Sequence, residues 1–272
     1  MEQVSANVYA ETGLGGCNPG FVTTKDGIVM IDSPQIPSDA IHWRNEMKNK
    51  GEIRYLINTE PHRDHIAGNF FFPGTIIAHQ GTREVISSFT EDSIIDRIRN
   101  VRPEDLPLME GYFLKKPDIT FSEKLALYLG DHIFELISLP GHTASQIAVY
   151  IPQERVVFTG DNVFYRVQTW LKEAVPYEWL QSLERIAQLD VDVIVPGHGE
   201  VCDKSYLKEQ ASFIEEWMET IKEAISQGLS KEEAMERISF LDRYPMDIGL
   251  DAIGPEVQRM NVDRLYDLLK ES

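Results

Sequence analysis

Positive charge is scarce in this sequence, because 26 lysine and arginine residues stand against 44 aspartate and glutamate residues and the net charge at pH 7 is -18. An acidic surface repels phosphate backbones, so we expect no broad nucleic-acid interface. No apolar run approaches the roughly 20 residues that a membrane span needs. The start, MEQVSANVYA, shows neither the basic nor the apolar segment of a signal peptide. We therefore expect a cytoplasmic protein that binds neither nucleic acid nor membrane.

Cysteine is equally scarce, and several catalytic motifs are missing. The two cysteines, Cys17 and Cys202, do not suggest a disulfide framework. The sequence contains no Walker loop and no Gly-x-Ser-x-Gly elbow, which argues against a P-loop nucleotide enzyme and against a serine hydrolase of the elbow type. The 272 residues are ample for a buried core.

The first 200 residues alternate short apolar strands with turns and a few helices. Asp26-Gly27 and Gly130-Asp131 are typical hairpin turns. Two β-rich halves, with helices between and after them, predict two sheets packed face to face with helices outside. From Lys204 apolar residues recur at steps of three and four, which predicts long helices. We expect a domain at 1–200 and a helical extension at 201–272 packed on it, with a homodimer contact as a further role for the extension.

Ligand-type residues follow four apolar strands of the predicted sheets. Because the carboxyl ends of neighbouring strands meet at one rim, these side chains should converge. They are Glu60, His62, Asp64 and His65 in NTEPHRDHIAGN, His142 after IFELISLPG, Asp161 after RVVFTG, and His198 after VDVIVPG. Imidazole and carboxylate groups are common ligands of zinc and iron. Seven of them exceed the need of one tetrahedral ion and suit two ions that share a carboxylate.

Spacing within the first cluster indicates how it divides. Glu60 and His62 are two residues apart, so both can point the same way from an extended segment. Asp64 and His65 are adjacent, so a turn is needed to direct this second pair toward a second ion. The sequence therefore predicts an extended segment followed by a turn.

Taken together, EPHRDH, GHT at 141–143, GD at 160–161 and PGH at 196–198 resemble the ordered motifs of the metallo-β-lactamase superfamily of binuclear metallohydrolases. The resemblance spans roughly residues 4–200. It implies an α/β (α+β) fold, a four-layer αββα sandwich with the site at one edge of the sheets. It also implies one metal site at Glu60, His62 and His142, a second at Asp64, His65 and His198, and Asp161 as the bridge.

Glu60 departs from the family pattern, which has a histidine at this position. Three interpretations remain open: Glu60 ligates through oxygen, Glu60 turns away and leaves one ion, or the site binds without catalysing. An oxygen ligand would make iron or manganese more competitive with zinc. We expect two divalent metal ions, and zinc is the metal that we favour.

The leading hypothesis is a metal-dependent hydrolase for a small-molecule substrate. Hydroxide from metal-coordinated water, its pKa lowered toward about 7, would attack an ester, lactone, thioester or amide carbonyl. Asp64 would orient the nucleophile or carry its proton. The alternatives are an iron-dependent, dioxygenase-like oxidoreductase of the same fold and a metal-binding protein without turnover. The segment after Asp161 contributes three candidates for the substrate pocket, which are Tyr165, Arg166 and Trp170.

Overall fold

A computed structural model describes residues 1–270. Its first sheet has seven strands in chain order, antiparallel from β1 to β4 and parallel from β4 to β7. These strands are β1 (Glu2–Gln3), β2 (Val8–Ala10), β3 (Gly20–Thr24), β4 (Gly27–Ile31), β5 (Ile53–Ile57), β6 (Thr75–His79) and β7 (Ile119–Phe121).

The second sheet has five strands in the order β12-β11-β10-β9-β8. The strands are β8 (Lys124–Leu129), β9 (His132–Ser138), β10 (Ile147–Ile151), β11 (Val156–Tyr165) and β12 (Val193–Gly199). Only the β11-β12 pair is parallel, so both of these strands end at the same edge.

Eight α-helices accompany the sheets within residues 1–270. They are α1 (Pro37–Met47), α2 (Arg63–Ile66), α3 (Gln80–Ile86), α4 (Glu91–Val101), α5 (Pro176–Gln188), α6 (Leu207–Ser226), α7 (Lys231–Arg237) and α8 (Gly254–Lys270). Short 3-10 turns lie at Ala67–Phe71, Pro103–Met109, Lys204–Tyr206 and Asp251–Ile253. None of these helices is long and apolar enough to cross a membrane.

Alternating residues of β4 show how the four layers are built. Val29 and Ile31 point between the sheets, where they share a core with Phe134 of β9. Met30 points the other way and packs with Trp43 of α1. A strand buried on both faces places successive side chains in different cores, so period two is retained although every residue is apolar.

Helices of the C-terminal part cover the outer face of the second sheet. Trp179 of α5, Trp217 of α6 and Leu265 of α8 share one core with Val157 and Ile194 of the sheet. The result is the αββα sandwich that the resemblance implied, with helices continuing after residue 200. A domain division at residue 200 stays a prediction, and residues 271–272 of the predicted extension lie outside the described part of the chain.

Candidate metal centre

Residues 58–69, the segment NTEPHRDHIAGN, form a loop whose first and last side chains are hydrogen-bonded to each other. Asn69 Nδ2 donates to Asn58 Oδ1 at 2.8 Å, and Asn58 Nδ2 donates to the His65 carbonyl at 3.1 Å. Ser33, just after β4, donates from Oγ to Asn69 Oδ1 at 2.9 Å. Buried amide groups that satisfy one another fix this loop against the sheet.

The loop changes direction at His62. Its backbone is extended there (φ -64, ψ 150), and α2 begins at the next residue. Asp64 and His65 therefore project from a helical turn, whereas Glu60 and His62 precede it. This is the extended segment followed by a turn that the spacing predicted.

The other three ligand-type residues come from the second sheet. His142 lies in the loop after β9, as expected. Asp161 and His198, however, do not lie in turns: both are within strands, since β11 runs on to Tyr165 and β12 to Gly199. Register shifts at Gly160 interrupt the β11-β12 pairing, and Gly160 has a positive φ of 49°. The irregular backbone aims Asp161 at the rim without ending the strand.

Gly197 explains part of the Pro-Gly-His pattern. A Cβ at this position would lie 1.9 Å from Asp161 Oδ1 and 2.6 Å from the Gly160 carbonyl carbon. The close approach of the two strands beside Asp161 therefore requires a residue without a side chain.

The first ligand cluster contains Glu60, His62, His142 and Asp161. His62 Nδ1 lies 2.5 Å from Glu60 Oε2 and 3.1 Å from His142 Nε2. His142 Nε2 lies 3.7 Å from Glu60 Oε2 and 3.5 Å from Asp161 Oδ2. Glu60 thus points into the cluster rather than away from it.

The second cluster contains Asp64, His65 and His198. His198 Nε2 lies 3.4 Å from Asp64 Oδ2 and 3.3 Å from Asp161 Oδ2. His65 Nε2 lies 3.1 Å from Asp161 Oδ1. Asp161 therefore contacts both clusters, which is the position a bridging carboxylate would occupy.

Four buried polar atoms at this point have no hydrogen-bond partner outside the two clusters among residues 1–270. They are Glu60 Oε1, Glu60 Oε2, His65 Nε2 and Asp161 Oδ1. A buried carboxylate left unsatisfied is costly unless a cation compensates it. The donor set and these unsatisfied atoms fit a pair of divalent metal ions.

The orientation of three of the four imidazoles is set by a contact on the side away from the centre. Nδ1 of His142 bonds to the Trp170 carbonyl at 2.8 Å. Nδ1 of His65 contacts Asp32 Oδ2 at 2.9 Å, and Nδ1 of His198 contacts Asp247 Oδ2 at 2.6 Å. Each of these three rings thereby presents Nε2 to the centre, as outer contacts do for metal-ligating histidines.

Electrostatics at the centre favour positive charge. Burial by itself lowers the pKa of His62 and His198, but surrounding carboxylates outweigh it and hold both pKa values well above the ordinary value. Burial by itself raises the pKa of Asp161, but His198 and His65 outweigh it and hold that pKa well below its ordinary value. Carboxylates that hold protons on neighbouring imidazoles also attract metal cations.

Two residues that orient histidines of the centre were not predicted from the sequence. Asp32 directly follows β4, at the same edge as the first loop, and its φ of 53° marks a strained backbone. Its position after a strand is the signal that could have found it. Asp247 lies in the C-terminal extension, and its sequence offers no comparable signal.

A cavity of about 380 Å³ opens in front of the clusters. Trp170 lines it, whereas Tyr165 and Arg166 do not. The contact of these three residues with a substrate stays a prediction. Because β11 continues to Tyr165, that ring packs on Tyr206 at 4.7 Å between centroids, and Arg166 lies over the Tyr165 ring.

Cys17 lies beside the centre, with its Sγ within 4.8 Å of ligand-type atoms of Asp32 and His65. The Sγ is also 3.0 Å from the Asp64 carbonyl, and burial raises the pKa of the thiol to about 12. The contacts of Cys17 are those of a packed structural residue.

The two-sheet sandwich and the histidine-carboxylate rim define a metallohydrolase-type fold. The chain belongs to the metallo-beta-lactamase superfamily, whose model matches residues 12–198. The solved structure of a metallo-beta-lactamase from Pontibacter korlensis is similar in fold, with a TM-score of 0.61 at 21% identity over 79% of this chain and 97% of that one.

Curated relatives extend the likeness at the level of sequence. A hydroxyacylglutathione hydrolase of Brucella anthropi is 28% identical over 185 residues, 67% of this chain and 58% of that protein. The alpha subunit of 2,4-dinitroanisole O-demethylase from a Nocardioides species is 27% identical over 184 residues, 63% of this chain and 49% of that protein. The chain thus spans between about half and three fifths of these relatives' lengths.

Proposed function

We propose that this protein is a metal-dependent hydrolase that cleaves an ester, lactone, thioester or amide carbonyl of a small molecule. The observation that carries the proposal is the convergence of seven ligand-type side chains, with four unsatisfied buried atoms, at the inner end of a cavity. Relatives named as hydrolases support the reaction class.

Glu60, His62 and His142 would hold one divalent ion, and Asp64, His65 and His198 would hold the other. Asp161 would bridge them, because it contacts histidines of both clusters. Ions bound there supply Lewis acidity and lower the pKa of coordinated water toward about 7. Zinc suits the histidine-rich donor set, and Glu60 makes iron or manganese more competitive.

Asp64 is proposed as the residue that holds the proton removed from the attacking water. Burial by itself raises its pKa, but His65 and His198 outweigh it and lower that pKa below the ordinary value, so the carboxylate is ionised at neutral pH and can accept a hydrogen bond from the attacking water. Asp64 also lines the cavity, within reach of a substrate. Trp170 would shield the reacting carbonyl from solvent.

The reaction class is tested with metal-loaded protein and a panel of activated esters, lactones and thioesters. We expect turnover of at least one class, and a decrease of roughly 10²–10⁴-fold in kcat in Asp64→Asn. Glu110→Gln, an exposed carboxylate outside both clusters, should leave kcat unchanged. Tight metal binding without turnover of any class would contradict the proposal.

An iron-dependent oxidoreductase is the second candidate, and Glu60 is the observation that favours it. A carboxylate in place of a histidine enriches the first cluster in oxygen ligands, which suit iron better than nitrogen ligands alone do. Iron in the isolated protein together with oxygen consumption would support this candidate. Zinc together with hydrolysis in the absence of oxygen would exclude it.

We also propose the cytoplasm as the compartment. Both cysteines, Cys17 and Cys202, are free thiols in the structure. Unpaired thiols suit a reducing compartment. Fractionation of the native host would test this.

A further inference from the structure

Basic side chains gather at the cavity in front of the metal centre, although the protein as a whole is acidic. Three basic side chains line it, which are Arg63, Arg97 and Lys172. None of the three forms an ion pair within residues 1–270. Basic side chains gathered in a cleft concentrate anionic ligands there, even where the rest of the surface is negative.

Arg63 lies directly between two ligand-type residues, at the first position of α2. Its guanidinium lies 4.9 Å from the centroid of the Phe89 ring, which also lines the cavity. A guanidinium held over an aromatic face is oriented by that contact. Its N–H groups remain available for hydrogen bonds in the plane of the guanidinium. Arg63 is therefore placed to contact any molecule that reaches the metal centre.

Arg97 approaches the same cavity from α4. Its Nε donates to Gln35 Oε1 at 2.9 Å, and Gln35 is itself fixed by a bond from Nε2 to the Gly15 carbonyl. This chain of contacts uses Nε only, so the two terminal nitrogens of Arg97 remain for a ligand. An anchored guanidinium of this kind suits bidentate recognition of a carboxylate.

The only lining carboxylate outside the two clusters is Glu173, among the residues that the structure describes. Its Oε2 lies 3.5 Å from His62 Nε2, on the ligand side of the cavity. Glu173 thus faces a histidine, and the arginines are left without an internal counter-ion.

Apolar side chains complete the lining. Phe89 and Trp170 contribute from the main domain, and Leu250 and Ile253 contribute from the C-terminal extension. Clefts that mix apolar surface with a few placed charges typically bind small amphipathic molecules. The cavity volume of about 380 Å³ is within the range of a small-molecule site.

Glu60 offers a further explanation for basic side chains beside the centre. It adds a carboxylate to the proposed ligand set, so bound ions would retain less net positive charge than with histidine at this position. The centre itself would then attract an anionic substrate less strongly. Cations placed beside it would restore that attraction.

We propose that the substrate carries, besides its scissile carbonyl, a separate carboxylate that binds Arg63 and Arg97, with its apolar part against Phe89 and Leu250. This inference rests on the proposed hydrolase function. It names the substrate class of the same site.

Calorimetry on zinc-loaded protein tests the anion site without requiring turnover. Glutarate, which has two carboxylates, should bind roughly tenfold or more tightly than butyrate, which has one. The preference should disappear in the Arg63→Ala/Arg97→Ala double variant and persist in Arg99→Ala, a control on the same helix whose side chain is exposed and pairs with Asp96. Arg97→Lys should retain part of the preference for glutarate over butyrate.

Matched esters separate this inference from the hydrolase proposal. The p-nitrophenyl monoester of glutaric acid should show a lower KM than p-nitrophenyl pentanoate, and the double variant should raise only the first KM, with little change in kcat. Glutarate preference without hydrolysis of either ester would leave the anion site standing and count against the hydrolase. Equal binding of glutarate and butyrate, or a preference unchanged in the double variant, would overturn the anion site.

Discussion

Glu60 is fully buried, and in the described part of the chain neither of its carboxylate oxygens has a hydrogen-bond partner outside the ligand clusters. A structural carboxylate at such a position would normally accept backbone or side-chain donors. Glu60 instead faces His62 at 2.5 Å and His142 at 3.7 Å. Its surroundings fit a metal ligand better than a residue that has turned away.

Glu154, far from the metal centre, gives a stability prediction with a defined pH dependence. Its carboxylate accepts from Ser5 Oγ and from Asn7 Nδ2, both at 2.7 Å, and contacts His132 Nε2 at 2.9 Å. Burial by itself would raise its pKa, but these partners outweigh it and lower the pKa from 4.5 to about 2.

We expect Glu154→Gln to lower the free energy of unfolding at pH 7 by about 1–3 kcal/mol. Because the folded pKa lies below the unfolded one, the stabilisation is complete above pH 4.5 and is lost as the pH falls toward about 2. Urea unfolding of chelator-treated proteins between pH 7 and pH 3 measures the difference. A difference that grows at low pH would contradict this assignment.

Strand ends explain which elements of the site could be predicted. His142 and the loop at residues 58–69 follow strands, so their convergence could be inferred from order and spacing alone. Asp161 and His198 converge as well, but they lie in strands that continue past the rim. Only the register shifts of the β11-β12 pair show how these two side chains reach the centre. Tyr165 belongs to the same continuing strand, as its last residue.

The segment between α7 and α8 contributes more than packing. It brings Asp247 to 2.6 Å from His198 Nδ1, and Leu250 and Ile253 to the cavity. Asp247 lies 49 residues beyond His198 in the chain. Such a long-range contact depends on how α6 and α8 pack, which local patterns do not encode.

Asp247 is therefore expected to act as a positioning residue for His198. Asp247→Ala should weaken zinc binding at the second cluster by roughly 10–100-fold, because the imidazole loses the contact that orients it. Competition with a chromophoric chelator measures the affinity. Asp251→Ala, an exposed neighbour, is the control, and Asp247→Asn should recover part of the affinity by keeping an acceptor.

Two measurements could contradict or qualify the positioning role of Asp247. Equal zinc affinity in Asp247→Ala and Asp251→Ala would show that the extension does not support the centre. A general loss of folding in Asp247→Ala would appear as a lower urea midpoint in the chelated protein, where the metal contact is absent.

The whole molecule is organised around the edge where its two sheets meet. The first sheet supplies Glu60, His62, Asp64 and His65, and the second supplies His142, Asp161 and His198. Bound ions would therefore join the two halves of the sandwich. The layered fold itself could be predicted from two alternating β-rich halves, but the contacts of Asp32 and Asp247 required the three-dimensional structure.

Metal removal should consequently lower global stability. At an ion concentration 100 times Kd, each site adds about 2.7 kcal/mol. The two sites together add about 5.4 kcal/mol, which for a chain of this size corresponds to a decrease in Tm of roughly 10–20 °C on chelation. Scanning calorimetry with and without chelator measures it, and an unchanged Tm would show that the folded state binds no metal tightly.

Metal content per chain, measured by elemental analysis of wild type, Glu60→Ala, Glu60→His and Glu110→Ala, tests the central claim most directly. With Glu60 as a ligand in a two-ion centre, wild type, Glu60→His and the exposed control Glu110→Ala should each hold two equivalents. Glu60→Ala should hold one. One equivalent in both wild type and Glu60→Ala would contradict the two-ion centre, and two equivalents in both would contradict ligation by Glu60.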